Sequence, residues 1–181
     1  MDQESDEALM LRIARGDERA FRALAPRYAT RAIGLARRIC GSPEDAEEIV
    51  QEALLRVWIN APRWRPEALF RTWFYRIVFN LALNKKRRAP FAPLEAAGDP
   101  VDPALRADAA MERREQDRLV AEAIAELPAR QRSAIALTYG DELSNAEAAA
   151  VLGTSVSAFE TLLVRARRAL RIKLGWMNEE D

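Results

Sequence analysis

The sequence predicts an all-α chain in which two small helical domains are joined by a proline-rich acidic linker. Apolar residues recur at helical spacing in segment after segment, and no run alternates convincingly as a β-strand would. Four of the nine prolines fall at positions 90, 93, 100 and 103, where they forbid helix and favour extended chain. We therefore expect an N-terminal helical bundle over 1–88, a linker over 89–111 and a C-terminal helix-turn-helix domain over 112–176.

Composition excludes several classes of protein. The 181 residues include 28 basic and 28 acidic side chains, no histidine and one cysteine. Histidine-based zinc sites, Ser-His-Asp or Cys-His catalysis and an intrachain disulfide are therefore excluded, and we expect no enzymatic activity and no cofactor or metal. The acidic start and the lack of a long apolar run predict a cytoplasmic protein that does not insert into a membrane.

The zero net charge hides strong segregation along the chain. Acidic side chains crowd between residues 44 and 52, whereas residues 63–88 hold eight bases against the single acid Glu67. A second basic run covers residues 165–173. Two separate positive patches favour nucleic acid as a partner, and the acidic one favours a protein.

The first helices are predicted from their caps and breakers. Residues 6–24 show helical periodicity interrupted at Gly16 and Asp17, which predicts two helical pieces or one broken helix. A further helix is expected from Pro26 to Cys40, ending at Gly41, where glycine can adopt the left-handed conformation.

The following helix carries the clearest pattern. Ser42 can cap it, Pro43 suits its first position, and acidic residues favour its positive dipole end. Its buried stripe ends at Val57 and Trp58. The opposite face carries Glu48, Gln51, Glu52 and Leu55. By spacing alone this is either a solvated acidic face or a protein contact centred on the apolar Leu55.

An aromatic and basic segment comes next. A helix is expected over about 70–87, with a polar stripe that includes Arg76, Asn80 and Arg87. The loop before it holds Arg63, Trp64 and Arg65. Basic side chains suit the phosphates of single-stranded nucleic acid, aromatic rings suit stacking and amides suit base edges. Aromatic residues of this kind also form protein cores. For Trp64 and Tyr75 the sequence leaves both alternatives open.

The C-terminal part predicts a helix-turn-helix. After helices over about 117–127 and 129–139, Ser144 and Glu147 form a capping-box pattern and Gly153 marks a sharp turn. A second helix, capped by Ser155, runs into the basic residues 165–168. This order is typical of a helix that reads duplex DNA.

Three segments together resemble the extracytoplasmic-function (ECF) sigma factors of bacterial RNA polymerase. Residues 45–58 are similar to that family's polymerase-binding helix, and residues 70–82 to its promoter-melting, −10-reading helix. Residues 127–132 and the helix-turn-helix are similar to its −35-reading domain. The resemblance covers most of the chain.

The resemblance implies partners and site residues. Core RNA polymerase would be bound at its β′ clamp coiled coil and β flap, the β′ contact being made by Glu48, Gln51, Glu52 and Leu55. The loop at Trp64, between Arg63 and Arg65, would capture a flipped base. It also implies a cognate anti-sigma factor. Upstream promoter DNA would be held by Arg76, Asn80, Lys85 and Arg87, and −35 DNA by Ser157, Ala158, Thr161, Arg165 and Arg168.

One departure from the family concerns the recognition helix. Glu160 and Leu162 stand where the family often has basic residues, and positive charge begins only at Arg165. With this departure, base contacts would fall to Ser157, Ala158 and Thr161, and Arg165 and Arg168 would contact phosphates.

Two other classes of function are compatible with parts of this pattern. A protein-interaction module would use its bases only for solubility, so its contacts would depend less on salt than DNA binding does. A helix-turn-helix repressor is usually a dimer, yet the sequence shows no dimerisation heptads and has an acidic helix that a repressor does not need.

Overall fold

The computed structural model describes residues 4–88, 107–140 and 143–175. These residues form eight α-helices and contain no β-strand, which confirms the predicted all-α class. The helices are α1 (Asp6–Ile13), α2 (Glu18–Cys40), α3 (Pro43–Asn60), α4 (Phe70–Arg88), α5 (Ala107–Ala125), α6 (Ala129–Tyr139), α7 (Asn145–Leu152) and α8 (Val156–Lys173), with a 3₁₀ turn at Ala61–Arg63.

Local sequence signals explain where most helices begin and end. Side chains of Ser5, Asp17 and Ser42 accept hydrogen bonds from the first turns of α1, α2 and α3. Helix α2 ends at Gly41, whose φ of 89° lies in the left-handed region. The break at Gly16 and Asp17 is confirmed as the boundary between α1 and α2.

The expected helix boundary at Pro26 is wrong. Helix α2 runs without interruption from Glu18 to Cys40 and contains Pro26. Proline removes one backbone donor from the helix. Leu24 and Ala32, on either side of Pro26, are both buried, so apolar packing holds the helix together through this position.

The N-terminal helices enclose an aromatic core. Helix α2 packs against α1, α3 and α4. The ring of Tyr28 lies edge-on to Phe70 and Phe74, with centroids 5.2 and 5.8 Å away. Glu7 of α1 accepts a hydrogen bond from the backbone N–H of Phe70 at 3.3 Å, so the first helix caps the start of α4.

The C-terminal helices pack on one another and on the N-terminal ones. Helix α8 rests on α6 and α7 through Phe159 and Leu163. In addition, α7 contacts α4 and α6 contacts α2, so one cluster of buried apolar side chains extends through both parts of the chain. Most of the expected linker, 89–111, lies outside the described residues, and α5 begins within its last part, at Ala107.

Candidate functional site

The outward face of α3 carries exposed acidic, amide and apolar side chains. Glu48 and Gln51 are exposed, and Leu55 exposes 52% of its surface. Ile59, one turn further along, is also exposed and lengthens the apolar strip. We name Glu48, Gln51, Glu52, Leu55 and Ile59 the α3 face. The sequence reading missed Ile59, although its spacing of four residues from Leu55 was a usable signal.

Ion pairs hold the acids of the α3 face in place. Arg56 donates to Glu52 at 2.8 Å within the helix. Lys85 of α4 reaches Glu48 at 2.6 Å and Asp45 at 3.2 Å. Hydrogen bonds to these two carboxylates raise the pKa of Lys85 above its ordinary value. Lys85 therefore links α4 to α3, and its charge is already neutralised by carboxylates of α3.

A polar stripe lies on the opposite side of α4. Arg76, Asn80 and Arg87 are all exposed, and their spacing places them on one side of the helix. The same geometry puts Lys85 roughly opposite to them. The structure thus brings three of the predicted DNA-contacting residues of α4 together and separates Lys85 from them.

The aromatic side chain of the loop before α4 is buried and is not exposed for stacking on a nucleic-acid base. Trp64 is only 8% exposed, and its ring lies 6.5 Å from that of Trp73. Tyr75 is buried too. A buried indole cannot stack on a nucleic-acid base unless it leaves the core, so the structure favours the core alternative for Trp64. Its neighbours Arg63 and Arg65 are exposed, so both can contact the phosphate backbone of a nucleic acid.

The helix-turn-helix is built from two capped helices around a glycine turn. Ser144 accepts from the backbone N–H of Glu147, while Glu147 accepts from that of Ser144, which completes the expected capping box. Gly153 has a φ of 63°, a conformation that favours glycine. Ser155 then caps α8 by accepting from the N–H of Ala158 at 3.2 Å.

The exposed face of α8 contains all five predicted DNA-contacting residues: Ser157, Ala158, Thr161, Arg165 and Arg168. The hydroxyl of Thr161 donates to the carbonyl of Ser157 at 2.9 Å, and its oxygen can still accept a hydrogen bond. Val164 lies exposed among them and was missed, since an apolar residue there resembles a core position.

The two unusual residues of α8 have structural partners. Glu160 accepts a hydrogen bond from the side-chain amide of Asn145 at 3.2 Å, which links α8 to the start of α7. Leu162 is half-buried and packs against the core. Nearby, Arg167 lies over the exposed ring of Tyr139 and donates to its hydroxyl at 2.9 Å.

Other kinds of site are not found among the described residues. No group of three acidic, histidine or cysteine side chains there could hold a metal ion. No single described helix is long and apolar enough to cross a membrane; only α7 and α8 taken together pass that test, and they are bent by 96°. Cys40 is half-buried, and burial raises the pKa of its thiol.

Comparison with known proteins assigns both parts of the chain. Residues 24–90 match sigma-70 region 2, and residues 117–170 match sigma-70 region 4. The first range contains the α3 face and the stripe of α4, and the second contains the helix-turn-helix. The fold and these two family matches define a transcription initiation factor of the sigma-70 class.

Full-length relatives refine the class to a family. The RNA polymerase sigma-H factor of Pseudomonas aeruginosa is 32% identical over 94% of this chain and 94% of that protein. The ECF sigma factor SigW of Bacillus subtilis is 32% identical over 90% and 92%. The solved structure of CnrH in complex with the cytosolic domain of CnrY matches with a TM-score of 0.74 and 27% identity, covering 97% of this chain and all of that one. The chain belongs to the ECF sigma factors of RNA polymerase.

Family membership confirms the central sequence-based prediction. The protein is a sigma factor that directs transcription.

Proposed function

We propose that this sigma factor binds core RNA polymerase through the α3 face and contacts promoter DNA through α4 and α8. The carrying observation is that an acidic and apolar helix face and two basic, polar helix faces are exposed on different helices of one chain. A repressor or an adaptor does not require all three.

For polymerase binding, we assign Glu48, Gln51, Glu52 and Leu55 to the β′ clamp coiled coil. Support comes from the two chemistries that these side chains present together. Leu55 offers apolar area that a partner can bury, and the exposed carboxylate of Glu48, although paired with Lys85, can also accept hydrogen bonds from a basic partner surface. The β flap contact is assigned to the C-terminal domain by resemblance alone.

For promoter binding, we assign residues 1–88 to the −10 element and residues 112–176 to the −35 element. Arg76, Asn80 and Arg87 offer two cations and an amide on one exposed side of α4. Arg63 and Arg65 add charge beside it. On α8, Arg165 and Arg168 suit phosphates, while Ser157, Ala158 and Thr161 at the helix start suit base edges.

We also propose that a cognate anti-sigma factor controls the protein in the bacterial cytoplasm, where RNA polymerase works. Support comes from the family and from CnrH, a similar protein whose structure was solved in complex with the cytosolic domain of CnrY. Such a partner would act by covering the α3 face, the stripe of α4 or the face of α8.

Run-off transcription tests the proposed function. Purified core RNA polymerase is mixed with this protein and a library of genomic promoter fragments. We expect new transcripts whose starts share a −10 and a −35 sequence. If the polymerase with the sigma factor starts nowhere that core polymerase alone does not, the proposed function is wrong.

The separation of Arg76 from Lys85 predicts different salt behaviour. Arg76→Ala is expected to weaken binding to a −10 fragment and lower the slope of log affinity against log salt by about 1, as loss of a phosphate contact does. Lys85→Ala should leave that slope unchanged because Asp45 and Glu48 already neutralise its charge. Fluorescence anisotropy over a salt series measures the slopes of both variants. Equal changes in slope would show that Lys85 contacts DNA as Arg76 does.

A further inference from the structure

The two regions of the sigma factor pack directly against each other. Helix α7, the first helix of the helix-turn-helix, lies on α4, and α6 lies on α2. We call this contact the closed interface. It joins the helix that we assign to the −10 element with the domain that we assign to the −35 element.

An ion pair holds one end of the closed interface. Arg71 of α4 donates through Nε to Oε1 of Glu147 at 2.7 Å, and its Nη2 contacts the same oxygen. The other carboxylate oxygen accepts from the backbone N–H of Ser144 at 3.0 Å and from its hydroxyl. Only 15% of the Glu147 side chain is exposed. One carboxylate thus caps α7 and ties it to α4.

Burial of positive charge opposes the closed interface at its other end. Arg132 of α6 is 2% exposed, and one of its amino groups donates to the carbonyl of Ile39 in α2 at 3.4 Å. Its Nε has no hydrogen-bond partner among the described residues. Lys86 lies nearby, and both its burial and the charge of Arg132 lower its pKa. Desolvated cations of this kind disfavour a permanent contact.

Promoter geometry, which rests on the proposed function, requires the two regions to separate. Elements centred about 25 base pairs apart are separated by about 85 Å along B-DNA. Helices α4 and α7 touch, so the closed interface does not span that distance. The chain between Arg88 and Ala107 can reach about 60 Å when extended, enough to let the regions part.

We propose that the closed interface is an internal brake, in which the Arg71–Glu147 ion pair holds the sigma factor in a conformation that does not span a promoter. Promoter binding competes with this contact. Weakening the ion pair shifts the population towards the open form and raises affinity for DNA that carries both elements.

Single-molecule energy transfer tests the brake directly. Dyes are attached to cysteines introduced by Asn84→Cys on α4 and Ala150→Cys on α7, which are exposed positions on two helices that touch across the closed interface, in a Cys40→Ser background. We expect a high-transfer closed population in the parent. Arg71→Gln and Glu147→Gln should each lower the closed-to-open ratio about fivefold, a typical effect of losing one partly buried ion pair. The double variant should differ little from either single variant, because both remove the same pair.

Matched variants separate the ion pair from general effects. Glu147→Gln keeps an oxygen for the capping box, so circular dichroism should show an intact fold. Arg22→Gln removes the same charge as Arg71→Gln but breaks only an exposed pair with Glu18 inside α2, and it should leave the closed population unchanged. Arg71→Lys retains a cation and should restore most of the closed form.

Two results would overturn the brake. One is a parent protein without a high-transfer population, and the other is an equal closed fraction in the parent, Arg71→Gln and Glu147→Gln. Each of these two results is compatible with successful run-off transcription, so the brake can fail while the proposed sigma-factor function holds. Variants that open the molecule but never gain affinity for a two-element promoter fragment would contradict the promoter competition.

Discussion

Replacing Gln51 with Ala and Leu55 with Asp together is expected to weaken binding to core RNA polymerase by at least about 100-fold. Leu55 exposes 52% of its surface at the centre of the α3 face. An aspartate there would have to lose its hydration in an apolar contact, and Gln51→Ala removes a neighbouring hydrogen-bonding group. Surface plasmon resonance with immobilised core polymerase measures the loss.

A matched substitution tests whether the position matters. Leu11 of α1 exposes 54% of its surface, almost the same fraction as Leu55, but lies outside the α3 face. Leu11→Asp should therefore leave polymerase affinity within about twofold of the parent. Helicity by circular dichroism should be the same in all three proteins. Unchanged affinity of the Gln51→Ala, Leu55→Asp variant would remove the α3 face from the polymerase contact.

Trp64→Ala is expected to destabilise the N-terminal helices by about 3–5 kcal/mol, as loss of a buried aromatic ring does. The ring is 8% exposed and packs near Trp73. For a chain of this size the loss corresponds to a fall of about 10 °C in melting temperature. Thermal unfolding followed by circular dichroism measures it.

An exposed aromatic residue provides the control for Trp64. Tyr139 is exposed and contacts Arg167 at the surface, so Tyr139→Ala should change the melting temperature by no more than about 2 °C. If Trp64→Ala keeps the parent melting temperature but abolishes promoter opening, seen as lost permanganate reactivity of unpaired thymines, then Trp64 acts on DNA and its burial is not its main role.

Most helices could be predicted because their signals are local. Ser42 and Pro43 begin α3, Gly41 ends α2, and Ser144 with Glu147 forms a capping box within four residues. Pro26 misled the prediction because its local penalty was outweighed by the burial of residues on both sides of it, and burial depends on distant helices.

The candidate site was predicted where exposure follows from helical periodicity. The α3 face and the exposed side of α8 lie opposite buried stripes that the sequence already showed. Trp64 and Lys85 were harder, because a ring beside bases and a lysine in a basic run look the same whether they face solvent or another helix. Their contacts with Trp73 and Glu48 join residues of different elements.

The closed interface had no local signal at all. Arg71 and Glu147 are 76 positions apart, and each looks like an ordinary charged residue of an exposed helix. Arg132 appears in sequence as one base of a polar segment, yet it is 2% exposed. Only the three-dimensional packing of α6 on α2 and of α7 on α4 brings these side chains together.

The double role of Glu147 limits how this protein can evolve. Because one carboxylate both starts the first helix of the DNA-reading motif and fastens that motif to α4, most changes at this position alter two traits at once. Selection for easier separation of α7 from α4 can therefore act more readily on Arg71, because Arg71 takes no part in the cap of α7. Among natural variants of this protein, a weaker closed interface should arise more often by substitution of Arg71 than by substitution of Glu147.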